Sequence, residues 1–352
     1  MKKKYDMLYR ELKEQILSGE YRAGEKLPSK RVMADRTGYS TVTVATAYGR
    51  LEDEGYILPR ERSGYYVCRI ETGGTRGGEV PAVPLIRLPE DTAEPMGELE
   101  YSLWFKTVRK VISEQGSRLF VKAPGKGCAV LRNAIAEYLG RYRGMHADPR
   151  RIIIGSGSEQ LYETAIKVLG RELTVGIESP CYGQIPTVYE GMGVSVCRLR
   201  MGSDGIEEEA LLSGGFDVLH VTPFHSYPSG VTTSIAKRYD YLSWAEKAGR
   251  YIIEDDFDSE FFMPGQPIEA LYSLDSSDSV IYLNTFSKSL SPAMRIGYMI
   301  LPEALLPIYE EKLGDFSCSV PVMEQYVLAE FIASGSFERH LNRMRRQMRA
   351  KP

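Results

Sequence analysis

The sequence predicts two domains of different class: a small α+β head, then a larger α/β body on a mainly parallel sheet. Three observations predict this. The chain has 352 residues, too many for one ordinary core. Charge is uneven: residues 1–70 carry 14 Lys and Arg against 10 Asp and Glu, while the remainder carries 30 against 37. The hydrophobic pattern changes across a stretch containing Gly73, Gly74, Gly77, Gly78, Pro81 and Pro84, which reads as a linker. The expected boundaries are 1–70 for the head, 71–98 for the linker and 99–352 for the body.

The head divides into five elements. Residues 5–17 are an amphipathic helix, with Met7, Leu8, Leu12, Ile16 and Leu17 spaced for one face. Ser18-Gly19 ends it. Pro28-Ser29 starts a second helix over 30–36, with Val32 and Met33 expected inside, and Gly38 makes the turn. Ser40 caps a third helix over 41–54, ended by Gly55. Two short β-type runs, 56–58 and 65–67, flank a charged tip and read as a hairpin. In the body, helices are expected over 131–142 and 159–169. Strands are expected over 151–154, 173–177, 218–221, 251–254 and 280–283. Short apolar strands between helices imply a mainly parallel sheet covered on both faces.

Composition excludes several classes. Hydrophobic residues make up 43% and charged residues 26%, ordinary values for a soluble globular protein. No run of about 18 apolar residues occurs, so no spanning helix is expected. The basic start, Met1-Lys2-Lys3-Lys4, has no apolar segment behind it and is no signal peptide. Five scattered cysteines without a CxxC pair fit a reduced, cytoplasmic setting, not a disulfide framework or a zinc site.

Two short helices joined by a glycine turn, then a hairpin, describe a winged helix-turn-helix that can seat a helix in a DNA major groove. The third helix opens with Ser40, Thr41 and Thr43, whose hydroxyls can reach phosphates and base edges. Lys30 and Arg31 begin the preceding helix. Arg60, Arg62, Ser63 and Gly64 form the hairpin tip, where a glycine lets backbone approach DNA closely. A three-helix dimerisation module with a solvated charged face fits the same pattern. The runs Leu27-Pro28-Ser29-Lys30-Arg31, Gly38-Tyr39-Ser40-Thr41-Val42-Thr43-Val44 and Ser63-Gly64-Tyr65-Tyr66-Val67 resemble the GntR-type winged helix. The family usually has Arg after the turn Ser, where this chain has Thr41.

Four body segments point to one chemistry. Asn284-Thr285-Phe286-Ser287-Lys288 puts a lysine directly after a strand, with Arg295 seven residues on. A Schiff-base lysine needs that placement, and Thr285, Ser287 and Arg295 can bind a phosphate beside it. Read alone, a lysine among serines is usually a solvated surface residue. Ile154-Gly155-Ser156-Gly157-Ser158-Glu159 runs a strand into a small-residue turn and a helix, exposing backbone N–H groups to an anion. Tyr251-Ile252-Ile253-Glu254-Asp255-Asp256 delivers carboxylates at a strand end. One of them can pair with a pyridine nitrogen, although such clusters also hold magnesium. Glu178-Ser179-Pro180-Cys181-Tyr182 offers an aromatic that either stacks on a ring or packs in the core.

Together the segments resemble the pyridoxal-phosphate-dependent type I aminotransferase fold, and head plus body resemble the MocR/GabR branch of GntR-type regulators. That resemblance implies Lys288 as the Schiff-base lysine, Asp255 on the pyridine nitrogen and Tyr182 on the ring. It places Ser156, Gly157, Ser158, Thr285, Ser287 and Arg295 around the phosphate. It puts Tyr227, in the Thr222-to-Gly230 loop, beside the ring. The chain departs from the family at Phe257, where a Tyr is common, and at Ser226, where Gln is usual. The family continues into a small C-terminal subdomain with an Arg for the ligand carboxylate. This chain, ending at Pro352, is expected to lack most of it.

The resemblance implies a homodimeric regulator that binds operator DNA and senses an amine or amino acid through an external aldimine. One alternative is a working aminotransferase with an appended head, and another is a body that only dimerises the head. His146, His220 and His340 have no partner pattern in the sequence and receive no role.

Overall fold

The computed structural model describes residues 4–60, 63–70, 101–261 and 269–350. It divides into two compact units, one within residues 1–90 and one within 91–352. The expected linker and Arg62 lie outside the described residues.

The head consists of α1 (Lys4–Leu17), α2 (Lys30–Thr37), α3 (Thr41–Asp53), β1 (Ile57–Arg60) and β2 (Gly64–Val67). Serine caps start the second and third helices. Ser29 Oγ accepts the Val32 N–H at 3.3 Å, and Ser40 Oγ accepts the Thr43 N–H at 3.2 Å. Gly38 ends α2 in the left-handed region. The two strands pair antiparallel, with Ile57 opposite Val67. Leu8, Leu12, Ile16, Met33, Val44, Tyr48 and Leu51 close the core.

Three inward-facing expectations are corrected here. Met7, Leu17 and Val32 are exposed. On α1 the face is completed by Tyr9, whose ring is buried and whose hydroxyl donates to Glu54. Counting only aliphatic residues shifted the predicted stripe. On α2, Met33 and Ala34 are buried, so Val32, a third of a turn away, points outward.

The body carries ten helices among the described residues. They are α4 (Tyr101–Gln115), α5 (Ala129–Tyr138), α6 (Ser158–Leu169), α7 (Gln184–Gly191), α8 (Glu208–Leu212), α9 (Ile235–Ala248), α10 (Leu271–Leu274), α11 (Leu306–Leu313), α12 (Val322–Ala333) and α13 (Ser336–Ala350). Its strands are β3 (Ile152–Gly155), β4 (Thr174–Ser179), β5 (Ser195–Arg200), β6 (Val218–Val221), β7 (Tyr251–Asp255), β8 (Val280–Thr285) and β9 (Gly297–Ile300). They form one seven-stranded sheet in the order β3-β9-β8-β7-β6-β4-β5. Only β9 runs against its neighbours.

The sequence reading missed β5 and β9. β5 is an edge strand with one fully buried side chain, Leu199, so it lacks the apolar run that marks the others. β9 has four residues and starts at a glycine. Separate apolar clusters fill the two faces of the sheet, one including Leu161, Ile166 and Ile177, the other Phe216, Leu219 and Tyr241. Because β4, β6, β7 and β8 are parallel, their C-terminal ends share one edge of the sheet, where open α/β sheets bind ligands. Among the described residues, no helix is long and apolar enough to cross a membrane.

Candidate functional site

That edge opens into a cavity of about 380 Å³. Lys288, Ser287 and Thr285 reach it from the end of β8, and Asp255 and Phe257 from the end of β7. Tyr182 comes from the loop after β4, and Thr222 and Tyr227 from the loop after β6. Ser158 lines it from the first turn of α6, and Arg295 from the segment before β9. Residues up to 137 positions apart, Ser158 and Arg295, are thus brought together.

Alternation along β7 sorts its carboxylates. Glu254 turns away from the cavity, and its oxygens accept the backbone N–H groups of Leu271 and Tyr272 at 2.8 and 2.9 Å. Burial, then the charge of Asp256, pushes its carboxyl up to about 7. Asp256 accepts hydrogen bonds from Arg143 at 2.8 Å and from the Tyr282 hydroxyl at 2.6 Å. Only Asp255 faces the cavity. One of its oxygens, Oδ2, accepts the hydroxyl of Tyr162. The other, Oδ1, is buried without a hydrogen-bond partner.

Lys288 Nζ lies 3.4 Å from Asp258 Oδ2 and 4.0 Å from the centre of the Phe257 ring. Asp258 also accepts from His225 Nδ1 at 2.9 Å. Tyr182 and Tyr227 stand at the mouth, half exposed, with ring centres 6.3 Å apart. Tyr182 is therefore a cavity residue, not core packing. Ser226, where the family has Gln, is fully buried and donates to Glu178 at 2.7 Å. Burial raises the Glu178 carboxyl above its usual range, opposed by the hydroxyls of Thr222 and Ser226.

The turn before α6 is shaped for an anion. Gly157 adopts φ +97°, and a Cβ there would sit 2.7 Å from Arg295 Nη2. No side chain caps the helix, so its first N–H groups are open beside that guanidinium. Arg295 is also 3.4 Å from Glu159. Ser156 does not line the cavity, and its N–H goes to Gln160 Oε1 at 3.1 Å. Tyr162 is not singled out by the sequence reading, which leaves the buried His220 behind it without a role. A tyrosine in an apolar helix and a histidine in an apolar strand carry no local signal. Among the described residues, no group of three or more His, Cys, Asp or Glu side chains is placed to hold a metal ion.

On the head, the first turn of α3 is exposed. Ser40 and Thr43 hydroxyls bond each other at 2.9 Å, which commits them to the cap. Thr41 and Val42 stand clear, and Val42 is 74% exposed, a feature the sequence reading passed over. Lys30 Nζ sits 4.9 Å from the Tyr65 ring centre, and the Arg60 guanidinium 4.3 Å from that of Tyr66. Arg31 is exposed. Ser63 Oγ bonds the Tyr66 hydroxyl at 2.6 Å. Gly64 adopts φ +117° beside the Lys26 side chain.

Comparison with known proteins places both units. Residues 4–67 match the model for bacterial regulatory proteins of the gntR family, and residues 98–351 match aminotransferase class I and II. The chain belongs to the MocR/GabR-type regulators. It is 34% identical to YdeL, an HTH-type transcriptional regulator of Bacillus subtilis, over 99% of this chain and 77% of that protein. It is 30% identical to MocR of Rhizobium meliloti, a probable rhizopine catabolism regulatory protein, over 96% and 73%. The α-aminoadipate aminotransferase LysN of Thermus thermophilus superposes with a TM-score of 0.64 at 26% identity. That match covers 72% of this MocR-type chain and 66% of LysN, just under two thirds of its length.

The cofactor of this fold is pyridoxal phosphate. The residues present fit it. A lysine amine, a partnerless buried carboxylate oxygen, an uncapped helix N-terminus with an arginine, and an exposed aromatic all border one cavity.

Proposed function

We propose that this chain is a transcriptional regulator that senses an amine or amino acid through pyridoxal phosphate held at Lys288. The observation that carries the reading is the placement of Lys288 and the partnerless Asp255 Oδ1 on one cavity. Pyridoxal phosphate supplies an aldehyde that captures primary amines reversibly and a ring that draws electrons. Lys288 provides the amine that holds it, and Asp258 keeps that amine at the cavity. Asp255 is the acceptor for a ring N–H. Arg295, Ser158, Ser287, Thr285 and the α6 N–H groups are the phosphate ligands, with Gly157 giving them room. Tyr182 and Tyr227 line the cavity where they would cover the ring face and stand beside it.

The head binds operator DNA through α3 and the hairpin. Thr41, Lys30, Arg31 and Arg60 supply contacts from α2, α3 and the hairpin, and Arg62, outside the described residues, is a further candidate from the sequence. Ser40 and Thr43 hold the helix start, and Ser63 and Gly64 shape the tip. Repeated half-sites need two heads, so the chain acts as a homodimer. A signal passes only if the effector binds two domain arrangements with different affinity.

Borohydride reduction after loading with pyridoxal phosphate, followed by peptide mapping, tests the site. A stable adduct on Lys288, absent in Lys288→Ala, is expected. A panel of amines should then shift affinity for an operator selected from random duplex DNA. Steady transamination of a 2-oxo acid with DNA affinity unmoved by any amine would overturn the regulatory reading in favour of an enzyme. A monomer by light scattering would remove the dimer.

A further inference from the structure

Behind Asp255 lies a buried pair, His220 and Tyr189. His220, on β6, is 1% exposed. Its Nδ1 is 2.7 Å from the hydroxyl of Tyr189 on α7. Its Nε2 has no hydrogen-bond partner and lies 3.8 Å from Asp255 Oδ2. That is too long for a hydrogen bond, but a carboxylate and an N–H dipole still interact appreciably at such range in a buried site. The same oxygen accepts the Tyr162 hydroxyl.

Two tautomers are open to the imidazole. With the proton on Nδ1, the Nε2 lone pair would face the Asp255 carboxylate at 3.8 Å, which is repulsive. With the proton on Nε2, a positive edge faces the carboxylate and Tyr189 donates to Nδ1. Burial, then the charge of Asp255, pushes the Tyr189 phenol well above its usual range, so the hydroxyl keeps the proton it must donate. The ring cannot swing away. Tyr162 packs against it at 5.0 Å and 66°, and Tyr189 at 5.7 Å and 71°. The other nearby carboxylate, Glu178 on β4, already receives the Thr222 N–H, the Thr222 hydroxyl and the Ser226 hydroxyl.

We propose that Tyr189 and His220 are a positioning pair: with Tyr162 they occupy Asp255 Oδ2, so that Oδ1 alone is presented to the ring nitrogen of the cofactor. This makes the pocket selective for a ring that carries an N–H at that place. The inference rests on the assignment of Asp255 in the preceding section.

The test compares equilibrium binding of pyridoxal phosphate with that of its carbocyclic analogue, in which CH replaces the ring nitrogen. Both are titrated into the full chain by fluorescence at one pH. The unaltered chain is expected to favour pyridoxal phosphate by roughly tenfold or more, the low end for a charge-assisted hydrogen bond. His220→Phe should cut that preference to about threefold or less by weakening pyridoxal phosphate alone, leaving the analogue unchanged. Tyr189→Phe keeps the ring and removes only the hydroxyl, and should move the preference in the same direction by less. If His220→Phe does not fold, Tyr189→Phe decides alone. Equal loss of both ligands means the pair only packs, and an unchanged preference means it does not position Asp255. Either result overturns the inference while leaving the Asp255 assignment standing. No preference in the unaltered chain overturns the Asp255 assignment itself and the pair's role with it.

Discussion

The two units hold their functional atoms in opposite ways. In the head, a closed apolar core built on Leu8, Val44, Tyr48 and Leu51 supports a polar face that is solvated throughout. Among the described residues, Lys30 and Arg60 rest on the rings of Tyr65 and Tyr66. In the body, the central carboxylate is 4% exposed and depends on partners brought from α6 and β6. Exposed charges add little to stability, whereas buried ones are costly unless each is satisfied. Hence the body surrounds its site with paired groups: Asp256 with Arg143 and Tyr282, Glu254 with two backbone N–H groups. Surface changes on the head should alter DNA affinity with little effect on folding. Changes around the cavity should alter both binding and folding.

The sharpest way to break this contrast is Leu51→Ala, which opens a hole in the head core. It should destabilise the head by about 2–5 kcal/mol and abolish DNA binding at moderate temperature, while titration with pyridoxal phosphate is unchanged. Loss of cofactor binding in that variant would show that the two units do not fold independently. Gly157→Ala comes next. It places a side chain at φ +97° against Arg295 and should cost about 1–3 kcal/mol, together with a clear drop in pyridoxal phosphate affinity. A variant with normal affinity would remove Arg295 and the α6 turn from the phosphate site.

Glu254 tests the buried network through pH. Its folded-state carboxyl is raised to about 7, so the folded chain keeps a proton that the unfolded chain loses from about 4.5 upward. That contribution is fully present below 4.5 and is lost as pH rises through about 7. The melting temperature of the unaltered chain should therefore fall between pH 5 and 8 relative to that of Glu254→Gln. Parallel curves would mean the residue does not titrate in this window. The smallest effect is expected at Ser40→Ala. It removes the cap of α3 and should cost about 1 kcal/mol, with weaker operator binding and no change in the body. No change in DNA affinity would detach the start of α3 from operator recognition.

Much of this was legible in local sequence. Ser29, Gly38 and Ser40 announce helix ends because capping chemistry acts within three or four residues. The runs ending at Asp255 and Lys288 announce strand ends because an apolar run stops at polar residues. Other features have no local signature. Tyr162, Tyr189 and His220 resemble ordinary core residues, and their meaning comes from contacts across 93 and 31 positions. The reversed direction of β9 is equally invisible, since Gly297-Tyr298-Met299-Ile300 reads the same either way along a sheet.

The sequence by itself determined the division into a basic head and an acidic body, the periodicity of most elements, and the residue types at each strand end. Propensity, capping and burial period act over one or two turns of chain, so a linear reading captures them. The tertiary structure alone decided which hydroxyls are spent on caps and which buried groups stand behind Asp255. Those outcomes follow from pairing most polar groups removed from water with partners distant along the chain, which makes the few left unpaired, Asp255 Oδ1 among them, informative.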